Sequence, residues 1–142
     1  MTIKFDPTLD KCAILVDDSL ALGYAANAVS VVAMSLGKMV DNLIGPHTTS
    51  SDSVNYPGVI YSPLPILVAK ASYMTELHHR LKEDSSLLLM PFSSLAQSCK
   101  TYQEYGLNMS VAASAEIHLV ALGIVGDKKK VNKYTGNLAL FR

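Results

Sequence analysis

The sequence predicts a single α/β domain, and three observations carry that prediction. Short, continuously apolar runs alternate along the chain with longer segments of helical periodicity. The 142 residues are enough for one core without disulfide or metal staples. Apolar residues make up 49% of the chain and charged ones only 17%, a balance that excludes a disordered polymer. Strand–helix alternation of this kind places helices on both sides of a mostly parallel sheet. One domain is expected over residues 1–142, with no linker, internal repeat or low-complexity tract.

"KCAILV" (Lys11–Val16) is the first strand, apolar enough to be buried on both faces. "DDS" (Asp17–Ser19) ends it with turn residues, any of which can cap the next helix. That helix is predicted from about Leu22 to Val40, with Asn27, Ser30, Ser35 and Lys38 inside one arc of roughly 140°. The rest of it is apolar or small, so it is expected at the centre of the monomer or under a second copy of the chain. Asp41–Gly58, rich in Ser, Thr, Asn, Pro and Gly, is a long loop of the kind that is often functional or mobile. A second strand lies within Gly58–Ala69, firmest over Pro65–Ala69, with Pro63 and Pro65 setting its start at an edge or bend. Ser72–Asp84 is an amphipathic helix with Tyr73, Leu77 and Leu81 on one face. Leu87–Phe92 is the third strand, Ser93–Met109 a helical or broken-helical stretch, and Ile117–Gly126 the fourth strand. The final helix starts at Asp127 and stops at Gly136.

Lys and Arg number 12 and Asp and Glu number 12, so no overall charge draws the chain to nucleic acid, which is not an expected partner. No apolar run reaches the ~18–20 residues of a membrane span. "MTIKFDPTLDK" has no apolar core of a signal peptide, and Cys12 and Cys99 stand outside any ligand spacing. A reduced, cytoplasmic protein is therefore expected, with Cys12 a buried thiol.

Asp17 and Asp18 are the best catalytic candidates, because ligands in open α/β sheets favour the carboxyl ends of strands. Paired carboxylates serve as acid and base when proximity or burial separates their pKa values. The same two residues also suit a turn and a helix cap. His78 and His79 point about 100° apart on a helix and cannot chelate as an i, i+4 pair would. His118 is placed inside the fourth strand, on the face of Glu116. No HExxH, Cys/His set or carboxylate cage is present, so no metal and no cofactor is expected. There is no GxSxG, GxGxxG or GxxxxGK[ST]. "LGIVGDKKK" ends a strand at Gly126 just before a helix, where free N–H groups and Lys128, Lys129, Lys130 and Lys133 can hold an anion, or simply form a solvated face. Tyr102 and Tyr105 share a helical face, placed to line a pocket, to anchor an interface or to pack on the core.

"GIVGDKKKVNKYTGNLALFR", from Gly123 to the terminus, resembles the end of the type 2 peptidyl-tRNA hydrolases, and "ILVDDSLALGYAANAVSVVA" resembles their first strand and long helix. A closer resemblance, over nearly the whole chain, is to the family called "domain of unknown function two thousand". It is carried by "DDSLALGYAANA", Gly45–Pro46, "YPGVIYSPLPIL", "TYQEYG" and the same C-terminal segment. The hydrolase resemblance implies a three-layer α/β/α domain with a mixed four-stranded sheet, commonly dimeric, that cleaves the ester between peptide and tRNA. The family's site residues do not carry over. Aligned on Gly23, its aspartate falls on Ser19, its arginine on Asp17, and its two lysines on Tyr24 and Ala26. The later Asp–Ala–Gly–x–Thr segment falls on Asn108–Ala112. A shift of one residue lets Asp18 stand for the aspartate but restores no lysine.

A tRNA substrate needs cations for its phosphates, and ester cleavage needs a group that stabilises developing negative charge. The expectation is therefore the fold without the hydrolase activity: a homodimer formed through the first helix. It would bind a small molecule or peptide near Asp17, Asp18, Ser19, Gly23, Tyr24, Asn27 and the Asp41–Gly58 loop. The alternative is a hydrolase of peptidyl-tRNA or another acyl or amide bond, with Asp18 as acid/base and the Gly126–Lys128 helix start as anion site. A third is an interaction module whose apolar helix meets a partner chain.

Overall fold

The structure, a computed structural model, describes residues 3–142. In chain order its elements are β1 (Ile3–Lys4), β2 (Asp10–Val16), α1 (Leu22–Met39), β3 (Val40–Asp41), β4 (Thr48–Thr49), β5 (Asn55–Tyr56), β6 (Ile66–Val68), α2 (Ala71–Leu81), β7 (Leu87–Ser93), α3 (Ser94–Ser98), α4 (Tyr102–Val111), β8 (Leu119–Asp127) and α5 (Lys128–Thr135), with a 3-10 turn at Ser114–Glu116.

Four strands form the central sheet in the order β6-β2-β8-β7. β2 pairs with β6 in parallel, and β8 pairs antiparallel with both β2 and β7. Three strands thus run one way and β8, lying between two of them, runs back. The sheet is mixed and four-stranded, as the resemblance implies, with one parallel and two antiparallel ladders where strand–helix alternation alone led to mostly parallel pairing. The reason lies between β7 and β8. The five-residue α3 and the ten-residue α4 break the connection, so the chain does not cross back over the sheet before β8 begins.

Alternation along the strands sorts side chains into two cores. Cys12 and Ile14 face the side of Ala28, Val32 and Leu36 of α1, which are buried at four-residue spacing. Ala13, Leu15, Leu122 and Ile124 face the side of Met74 and Leu77 of α2 and Val131 of α5. The sheet therefore lies between α1 on one face and α2 with α5 on the other. Each fully buried Leu or Val contributes roughly 1.5–3 kcal/mol. The burial pushes the Cys12 thiol up to about 12, and both cysteines are free. At Val120 the alternation slips, because the β7–β8 register shifts between Phe92 and Ser93 and leaves Val120 as an extra residue.

The segment expected to be a plain loop holds structure. β4 and β5 form a small hairpin, Gly45 N–H donates to the Val59 carbonyl at 2.8 Å, and Ile44 bridges Ile60. Gly58 lies so close to Gly45 that a Cβ there would meet the Gly45 carbonyl oxygen at 1.8 Å. Asn42, at φ 61°, turns the chain after β3 and donates from Nδ2 to the Phe5 carbonyl at 3.0 Å. The outer edge of β6 is covered by the C-terminal segment: Val68 N–H donates to Ala139 and Phe141 N–H to Ile66. Beside β7, Tyr105 of α4 and Pro91 line the same cavities on both faces of the sheet.

Candidate functional site

β2, β6 and β7 end together, at Val16, Val68 and Ser93, where β8 begins at Leu119. Asp17 N–H donates to the Val120 carbonyl at 3.0 Å, and Asp17 Oδ1 accepts from Ser19 N–H at 2.9 Å. These bonds make Asp17 and Ser19 parts of a turn. Asp18 is exposed and faces a groove of about 500 Å³ shared with Lys70, Ser72, Tyr73 and Glu76. The Tyr73 hydroxyl donates to the Tyr134 carbonyl at 2.7 Å, and burial, outweighing Arg80, pushes its pKa up, so it stays a phenol.

A second groove, of about 480 Å³, lies at the start of α1 between Ala21, Gly23, Tyr24, Asn27 and Gln97. Gln97 Nε2 donates to the Tyr24 carbonyl at 2.9 Å and to Asn27 Oδ1 at 3.2 Å. Tyr24 is 61% exposed. α1 and α2 both begin at this end of the sheet, and neither Ala21 nor Lys70 supplies a side-chain cap. The positive ends of two helix dipoles are therefore left without a capping oxygen. The sequence-predicted residues divide: Asp18 belongs to one groove, Gly23, Tyr24 and Asn27 to the other, and Asp17 and Ser19 to the turn between. Gln97, Lys70 and Ser72 were not foreseen. Gln97 reaches Tyr24 and Asn27 across 73 and 70 positions, and no local pattern signals such a contact.

Gly126 and Lys128 lie at the opposite end of the sheet. Lys11 pairs with Gly126 and Val16 with Ala121, so about 20 Å of strand separates Gly126 from Asp17 at ~3.3 Å per residue. The expected anion site of free N–H groups is also corrected. Lys128 N–H donates to the Leu9 carbonyl, and the Asp127 carboxylate caps Lys129 and Lys130 at 3.1 and 3.2 Å. A carboxylate already occupies the place of the anion. Gly126 has a packing reason instead: a Cβ would meet Leu87 Cδ2 at 2.6 Å and the Ser86 carbonyl at 2.9 Å. The Asp41–Gly58 segment also leaves the Asp17 end, because the 18-residue α1 carries the chain about 27 Å along the sheet.

His118 precedes β8 instead of lying in it, and Glu116 belongs to the 3-10 turn, so the expected shared strand face does not form. His118 is exposed, and its carbonyl accepts from Ser94 N–H at 2.9 Å. His78 and His79 line a cavity of about 200 Å³ with Thr75 and Tyr105; burial first, then Lys82, holds the His78 pKa below 6.5. Tyr102 and Tyr105 meet edge to face with centroids 5.5 Å apart, but Tyr102 is 85% exposed and does not pack on the core. Among the described residues no group of three or more His, Cys, Asp or Glu side chains is placed to hold a metal ion, and no helix is long and apolar enough to cross a membrane.

Fold and site together define a mixed α/β protein with two open grooves at the carboxyl ends of its parallel strands. The chain matches the family described as "Protein of unknown function (DUF2000)" over residues 10–142, and it belongs to that family. Its structure is similar to that of a protein of unknown function from Agrobacterium tumefaciens strain C58. The TM-score is 0.72 at 18% identity, covering 94% of this chain and 98% of the other. That likeness is one of fold. No curated protein matches the chain.

Proposed function

We propose that this protein has the fold of the type 2 peptidyl-tRNA hydrolases without their chemistry, and that it is a cytoplasmic homodimer that binds a small molecule or peptide at the start of α1. The observation that carries the reading is the amide-lined groove there. Gln97 is held by the Tyr24 carbonyl and Asn27 Oδ1, which leaves Gln97 Oε1 to accept and Asn27 Nδ2 to donate. One acceptor and one donor side by side suit a peptide group, and the exposed Tyr24 ring suits an apolar neighbour of it. Against hydrolysis, the positions that resemble the family's lysines carry Tyr24 and Ala26, and Asp17 closes a turn. Dimerisation is assigned to the outer face of α1. There Leu22 and Met34 are 76% and 78% exposed, beside the small residues Ala26, Ser30 and Gly37.

The test is hydrolysis of a peptidyl-tRNA by the purified protein over a salt series, beside Asp18→Asn. Turnover no faster than an inert control is expected. Turnover that Asp18→Asn abolishes and salt weakens overturns the reading in favour of a hydrolase. A ligand screen by thermal shift completes it: a bound peptide or small molecule raises Tm by mass action, and Gln97→Ala removes the shift. Sedimentation at micromolar concentration tests the dimer, which Met34→Lys is expected to dissociate.

A further inference from the structure

At the other end of the sheet, away from both grooves, is a cavity of about 690 Å³, well within the ~300–1,000 Å³ range of small-molecule sites. Part of its lining is apolar: Tyr61, Pro63, Leu64 and Leu140, of which Tyr61 and Leu140 are 46% and 55% exposed. The polar part contains Lys11 from β2 and Lys128 from the start of α5. Lys11 Nζ donates to Asn132 Oδ1 at 2.6 Å, which fixes its ammonium group and leaves two of its protons. The ion pairs among the described residues are Arg80 with Glu76 and Lys130 with Asp84, so neither Lys11 nor Lys128 has a carboxylate within 4.0 Å. Asp10 is the one acid in the lining, and its Oδ2 accepts from Asp6 N–H at 2.9 Å. Two ammonium groups against one carboxylate give the cavity a net positive charge, in a chain whose own formal charge is zero.

A second feature of the same lining is Ser62. Its hydroxyl oxygen is buried and has no hydrogen-bond partner among the described residues. Such a group costs free energy until something bonds to it.

We propose that this cavity binds a small monocarboxylic acid with an apolar body. The carboxylate sits between the Lys11 and Lys128 ammonium groups, with Ser62 as a further donor, and the body lies against Tyr61, Leu64 and Leu140. The charge balance selects a monoanion, because a dianionic phosphate would bring excess negative charge beside Asp10. Charge-assisted bonds of this type are stronger than neutral ones. The site is independent of the groove at the start of α1.

The experiment is isothermal titration of the full chain with 3-phenylpropanoate and hexanoate, against 3-phenylpropanamide and inorganic phosphate. Saturable one-to-one binding of at least one acid is expected, weakened by salt, with the amide and phosphate at least about tenfold weaker. Lys128→Gln, a change at an exposed side chain, is expected to weaken the acid about tenfold without moving Tm. Ser62→Ala is expected to weaken binding while leaving the Tm of the free protein unchanged or higher. The proposal is overturned if neither acid binds below about 10 mM, if acid and amide bind alike, or if Lys128→Gln binds as the parent does. A lower Tm in Ser62→Ala also overturns it, since the hydroxyl would then be satisfied by a buried water and not await a ligand.

Discussion

Where β2 ends, α1 and α2 start at Ala21 and Lys70 without a side-chain cap. Where β2 begins, α5 starts at Asp127, whose carboxylate holds two first-turn N–H groups while Leu9 takes a third. Both are strand-to-helix corners of one sheet. The difference teaches where backbone recognition remains open: at the first end the helix donors are free of caps, and at the second any recognition must fall to side chains such as Lys11 and Lys128. The second end is also the more tightly closed, through Gly58 against Gly45 and Gly126 against Ser86 and Leu87.

The largest effect is expected from Gly58→Ala. Its Cβ would stand 1.8 Å from the Gly45 carbonyl oxygen, so backbone must move. Urea unfolding should show a loss of about 3 kcal/mol, the upper part of the usual overpacking range. A variant as stable as the parent would mean that the two segments are not packed together. Asp127→Ala removes the α5 cap and should cost about 1 kcal/mol, with the loss seen in hydrogen exchange of Lys129 and Lys130. At the opposite end, Ala21→Ser sits in extended backbone suited to a cap, φ −59° and ψ 149°, and should gain a few tenths to about 1 kcal/mol. If it gains nothing, the contrast between the two ends fails. The smallest effect concerns Asp84. Lys130 first, then Ser86, hold its carboxyl at about 2, against an ordinary 3.8. As pH falls the unfolded chain takes up the proton first. The contribution is therefore complete above pH 3.8 and is lost as pH drops through about 2. Asp84→Asn should flatten the stability profile across that interval in acid unfolding curves.

Much of the fold was legible. The apolar run Lys11–Val16, the three- and four-residue spacing of Ala25, Ala28, Val32 and Leu36, and the Asp127 start of α5 each have local causes. The two-residue strands β1 and β3 were not legible, because a ladder that short leaves no period to read. The direction of β8 was not legible in the strand–helix alternation for a different reason. Its apolar run reads the same either way, and only the failure of α3 and α4 to cross the sheet reverses it. Of the candidate site, the turn at Asp17–Ser19 followed from its residue types. Gln97 and Lys70 did not, since both arrive from distant segments.

By itself, the sequence determined the four strands of the central sheet and the helices α1, α2 and α5, that Cys12 is buried, and which family the chain belongs to. These rest on local periodicity, residue chemistry and the order of short motifs. Only the tertiary structure decided that Asp18 and Gly126 stand at opposite ends of the sheet, that the Lys128 corner is capped by its own Asp127, and that Lys11, Ser62 and Lys128 share one cavity. Strand register and the path of each connection set those distances, and both depend on contacts between residues far apart in the chain.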